Sequence, residues 1–65
     1  MPTTNELSRV LHRREAANLV GLHVRTLERM VAKGDFPSPI QLSRSRQGFI
    51  AQEISDWIAD RPRVA

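Results

Sequence analysis

Arg25 and Arg29 stand four residues apart, and Arg44 and Arg46 stand two apart in a stretch without acids. A guanidinium is a planar fork of five N–H donors that keeps its charge. Its chemistry is recognition. It grips a phosphate as a charge-assisted pair, and it reads guanine O6 and N7 through two parallel hydrogen bonds. A four-residue interval puts both side chains on one side of a helix. Val24 and Thr26 flank Arg25 and offer methyl groups to a thymine; the Thr26 hydroxyl can also bond a phosphate. With Lys33, the segment from His23 to Lys33 holds three cations against one acid, Glu28.

Glu28 has two roles open to it. It can accept from cytosine N4, or it can pair with Lys33 or Arg29, which needs no ligand. His23 falls where a helix N-cap belongs. Ser, Thr, Asp or Asn caps better, so the histidine is expected to cost some stability and to be free for a phosphate. The tip Ser43-Arg44-Ser45-Arg46-Gln47 alternates small polar residues with arginines. It suits a minor groove, and it also suits a plain solvated turn. Bond-making chemistry finds no residues: there is no Ser-His-Asp set, no carboxylate pair at a glycine turn and no phosphate loop. Without cysteines, and with only His12 and His23 as imidazoles, neither a disulfide nor a zinc site is expected. The chain reads as a non-enzyme without a cofactor or a small-molecule substrate.

These side chains need elements to hold them. Ala16, Leu19 and Val20 repeat at i, i+3, i+4, and so do Leu27, Met30 and Val31, so each set lays an apolar stripe on a short helix. The helices are expected over Arg13–Val20 and Val24–Lys33. Gly21 between them can adopt positive φ and turn the chain sharply, and Ala17 before it leaves room for close approach. Gly34 is placed to end the second helix, with Lys33 near its negative end. Val24, Arg25, Thr26, Glu28 and Arg29 then lie on or near the face opposite the stripe. Two short helices on a tight glycine turn form a helix-turn-helix, whose second helix enters the DNA major groove.

Asp35-Phe36-Pro37-Ser38-Pro39 is too proline-rich for a helix, and Phe36 is expected to anchor it in the core. Ile40 and Leu42 alternate with Gln41 and Ser43, which predicts a strand with Ile40 and Leu42 buried. Gly48-Phe49-Ile50 returns after the basic tip and completes a hairpin, or wing. A third helix follows over about Ala51–Asp60, with Ile54, Trp57 and Ile58 as its stripe and Glu53 in its first turn. Val10 and Leu11 form a short lead-in strand, with Leu11 facing inward. Trp57, Phe36 and Phe49 belong to the core by this spacing rather than to a base-stacking platform. The fold class is mostly α with one small β-hairpin, a winged helix-turn-helix.

At 65 residues the chain is one domain, expected over residues 9–61, with a flexible segment over 1–8 and a frayed end over 62–65. The net charge is +3 and the pI about 11.1. Charge placement says more than the total. Gln41 to Ile50 holds two cations and no acid, whereas Glu53 to Asp60 holds three acids and no base. No apolar run is long enough to span a bilayer and the first residues are polar, so the protein is expected in the cytoplasm.

Arg14-Glu15-Ala16, Leu19-Val20-Gly21-Leu22, Arg25-Thr26-Leu27, Gly34-Asp35-Phe36-Pro37-Ser38-Pro39-Ile40 and Glu53-Ile54-Ser55-Asp56-Trp57 follow in an order that resembles the AlpA-like and excisionase-like small phage proteins. These are related in fold to the DNA-binding domain of MerR regulators, and the resemblance covers about Leu11 to Arg61. It implies a protein that binds double-stranded DNA sequence-specifically, with the second helix in the major groove and the wing in the minor groove. It implies either a transcription regulator or an excisionase that assists an integrase, acting as several copies on neighbouring sites. That family often carries serine where this chain has His23, an aromatic at Glu28 and tryptophan at Phe49. Because the first two positions lie on the second helix, target sequence does not transfer. The other function class is a protein-interaction module on the same fold. It would bind an integrase or repressor, or inhibit a phage or host enzyme, through the acidic face of Glu53, Asp56 and Asp60.

Overall fold

The computed structural model describes residues 9–64. The flexible segment expected over residues 1–8 lies outside them, as does Ala65. Three helices, α1 (Arg13–Val20), α2 (Val24–Lys33) and α3 (Ala51–Ala59), pack with three short strands, β1 (Val10–Leu11), β2 (Ile40–Ser43) and β3 (Arg46–Ile50). The strands form one antiparallel sheet in the order β1-β3-β2. The expected winged helix-turn-helix is the observed architecture, and the hairpin is tied into a third strand.

Helices this short need defined ends, because propensity alone does not hold them. Gly21 and Gly34 adopt φ of 77° and 81°, a left-handed conformation that costs a residue with a Cβ about 1–2 kcal/mol. Each closes its helix in the same way. Leu22 N–H donates to the Ala17 carbonyl at 2.9 Å while Gly21 N–H donates to Asn18; Asp35 and Gly34 repeat the pattern on Met30 and Val31. These are Schellman closures, which satisfy the orphan carbonyls of a helix end. At its start, α1 is closed by a capping box. His12 Nδ1 accepts from Glu15 N–H at 3.4 Å, and His12 N–H donates to Glu15 Oε1 at 3.1 Å.

The core comprises Leu11, Ala16, Ala17, Leu27, Phe36, Phe49, Ala51 and Ile54, with Val20, Val24, Met30, Val31 and Trp57 packed around it. Leu27 and Ile54 are fully buried. The Phe36 ring meets Phe49 and Trp57 edge-on, at 5.7 Å and 4.8 Å between centroids, an arrangement favoured by the ring quadrupoles. Trp57 Nε1–H donates to the Asp35 carbonyl at 2.9 Å, which ties α3 to the proline turn. The aromatic residues are core, as expected.

Four expected core positions face outward. Leu19 is 53% exposed, and Ala17 takes its place. Successive residues turn about 100° on a helix, so Ala16, Ala17 and Val20 share a narrow arc that excludes Leu19. Two alanines let α1 lie close to its neighbours, where a leucine would hold them apart. On α3, Ala51 and Ile54 are buried, whereas Ile58 is exposed. The hairpin also faces the other way from the expectation. Ile40 and Leu42 are 38% and 50% exposed. Register explains the reversal. Leu11 lies opposite Phe49, and these two fill the core face; Ile40 lies opposite Gly48, whose direction alternates with that of Phe49. Val10, Ile40 and Leu42 therefore share the outer face.

Candidate nucleic-acid interface

The outer surface of α2 begins at His23. Its Nδ1 accepts from Arg25 N–H at 3.1 Å, so the imidazole serves as the N-cap and the ring proton resides on Nε2, pointing away from the helix. Capping and phosphate contact were expected to compete; the geometry makes them compatible, because each uses a different nitrogen. Arg25, Glu28, Arg29 and Lys33 are exposed. Thr26 is half-buried. Val24 is half-buried too and packs against the core, so only its outer edge belongs to the surface on which it was expected.

Glu28 departs from both of its expected intramolecular partners. Its Oε2 lies 3.3 Å from Arg13 Nε rather than beside Lys33 or Arg29. The tertiary approach of α1 and α2 brings Arg13 within reach, and no local spacing rule reports such a pair.

The wing tip is a two-residue turn, Arg44-Ser45, narrower than the expected Ser43–Gln47 tip, and Arg46 and Gln47 belong to β3. No described residue other than glycine has positive φ, so this turn lacks the primed geometry that matches strand twist in two-residue hairpins. The strands accommodate it with an irregularity at Leu42, between the Gln41–Gln47 and Ser43–Arg46 pairs. Gln41 pins the tip from below. Its Nε2 donates to the Ser43 and Arg46 carbonyls, and its Oε1 accepts from Gln47 Nε2 at 3.2 Å. Gln47 is therefore engaged within the wing. Arg44, Ser45 and Arg46 project freely at its end.

Among the described residues, Arg14, Arg25, Arg29, Lys33, Arg44 and Arg46 make no ion pair, while Glu15 pairs with Arg9, Glu28 with Arg13 and Asp60 with Arg61. Apart from Arg63 near the C-terminus, the described cations without an ion pair lie on α2, on the wing and at the start of α1. An open groove of about 630 Å³ runs between the start of α1 and the wing. Arg13 and Arg14 line it from α1, Arg44 and Arg46 from the wing, and Glu28 from α2. Sequence reasoning did not single out Arg13 or Arg14. The signal that finds them is the three-stranded sheet, which folds the wing back beside α1. His12 was missed as a cap, although the His12-x-x-Glu15 interval is that of a capping box.

Among the described residues, no helix is long and apolar enough to cross a membrane, and no group of three His, Cys, Asp or Glu side chains could hold a metal. No curated protein and no solved structure matches the chain. The family described as Prophage CP4-57 regulatory protein (AlpA) matches residues 9–62, a span that contains all three helices, the sheet and the groove. The chain that carries this unpaired cationic surface on a winged helix-turn-helix thus belongs to the AlpA family of prophage regulatory proteins.

Proposed function

We propose that the protein is a sequence-specific double-stranded DNA-binding regulator of a prophage or related mobile element. In this reading α2 enters the major groove and the wing enters the adjacent minor groove. The observation that carries it is the set of cations on α2 and the wing tip that make no ion pair among the described residues. Glu15, Glu28 and Asp60 pair with cations, and Glu53 and Asp56, which make no ion pair, lie apart on α3, so the cations on α2 and the wing keep their charge for a ligand. Arg25 and Arg29 read base edges, Thr26 and the edge of Val24 supply apolar or hydroxyl contacts, and His23 donates from Nε2 to a phosphate. Lys33 and the wing residues Arg44, Ser45 and Arg46 hold the backbone. The regulator acts on transcription, or on excision together with an integrase, and the location of its site separates the two.

The test is selection of bound sequences from a random duplex library, followed by titration of the enriched site at two salt concentrations. Wild type is expected to enrich one motif and to bind it less tightly at higher salt. Arg25→Ala and Arg29→Ala are each expected to lose about 5- to 150-fold on that site, the equivalent of about 1–3 kcal/mol of base discrimination. Full binding by both variants would remove α2 as the reader. A second reading, a protein-interaction module, is favoured by the exposed apolar face of Val10, Ile40 and Leu42. Absence of any salt-sensitive duplex binding by wild type would select it.

A further inference from the structure

We infer that the groove between α1 and the wing seats one phosphodiester strand of the duplex, and that Arg13 and Arg14 are backbone-holding residues there. The inference rests on the DNA-binding reading above and adds a site to it. A protein that places α2 in the major groove and the wing in the adjacent minor groove must straddle the sugar-phosphate strand that separates them. The groove is lined from α2 by Glu28 and Val31 as well as from α1 and the wing, so it also separates α2 from the wing. Its walls carry Arg13 and Arg14 from α1 and Arg44 and Arg46 from the wing. Arg14, Arg44 and Arg46 have no ion pair among the described residues.

Glu28 is the one acid in this lining, and it fixes the assignment. A free carboxylate beside a phosphate strand repels it. Here the carboxylate lies 3.3 Å from Arg13 Nε, so its charge is partly offset and the Arg13 guanidinium is tethered to α2. Glu28 is then a positioning residue that orients Arg13, and it does not read cytosine. Base contacts specify and phosphate contacts position, so substitutions in the groove and on α2 must behave differently.

The experiment is a salt titration of the full chain on its selected site and on a scrambled duplex, for wild type, Arg14→Ala, Arg13→Ala and Glu28→Gln. Arg14 makes no described ion pair, so its variant folds as wild type does, which a far-UV melt verifies. Arg14→Ala is expected to weaken both duplexes by a similar factor and to reduce the slope of log affinity against log salt by about 0.9. Arg13→Ala is expected to do the same. Glu28→Gln is expected to leave the selected motif unchanged and to shift the affinity for both duplexes by the same factor, as the loss of a contact that acts only through Arg13 requires. If wild type binds with a salt-dependent slope and Arg14→Ala keeps that slope, the groove is not a phosphate seat. A Glu28→Gln variant that selects a different base at one position makes Glu28 a reader and overturns its positioning role. Lack of salt-dependent binding by wild type would instead remove the DNA reading itself.

Discussion

His23 shows how one side chain serves both the fold and the proposed function. Its Nδ1 closes the start of α2 at 3.1 Å from Arg25 N–H, and the same bond leaves Nε2 as an outward donor. An N-cap accounts for about 0.5–2 kcal/mol. His23→Ala is expected to lower unfolding free energy by that amount in urea denaturation, whereas His23→Ser, which keeps an acceptor, is expected to stay close to wild type. Equal stability of all three would show that the cap bond contributes nothing. Residue type alone did not reveal this, because histidine ranks outside the usual capping set and its ring offers an acceptor only in one tautomer. Gly21 and Gly34 were legible for the opposite reason: positive φ excludes nearly everything else, so their chemistry names their place.

The helices were legible in their extents, β3 began two residues before its expected start, and facing was legible only in part. Helix and strand boundaries follow local rules of stripe, cap and proline. Which face of β2 turns inward is instead decided by its partner: Phe49 claims the core side of β3, and the register then sends Ile40 and Leu42 outward. Leu19 loses its place in the same way, to Ala17, because close helix approach favours the smaller side chain. Arg13 and Arg14 escaped notice since their relation to the wing exists only once β1 has paired with β3. Gly48 sits at that junction. A Cβ there would overlap Val10 Cγ1 and come within 3.0 Å of Leu42 Cδ1. Gly48→Ala is expected to destabilise the fold by about 1–3 kcal/mol, the usual range for overpacking. Adding Val10→Ala should restore part of the loss, and a double-mutant cycle by thermal denaturation measures the coupling. Strict additivity would show that β1 does not press on the wing.

At the scale of the molecule, cations concentrate on α2, the wing and the start of α1, while Glu53 and Asp56 lie on α3 and Asp60 caps its end. Like charges without counter-ions repel one another in the folded state. Added salt screens this repulsion, so the free protein is expected to melt at a higher temperature as salt rises, even as its affinity for duplex falls. Replacing Arg44 and Arg46 together with glutamine should flatten the rise. A melting temperature that stays level or falls with salt would show that the surface carries no such repulsion.

The wing is no loose arm. Its root is bonded to β1 and its tip is braced by Gln41, so the ordering cost is met when the chain folds, before any duplex arrives. On the proposed reading the protein behaves as a caliper: two jaws, α2 and the hairpin, are set at a fixed gap. An instrument of that kind senses width as well as letters. A duplex whose groove spacing does not match the gap must bend or twist to fit, and its flexibility at bases the protein never touches becomes part of what is recognised.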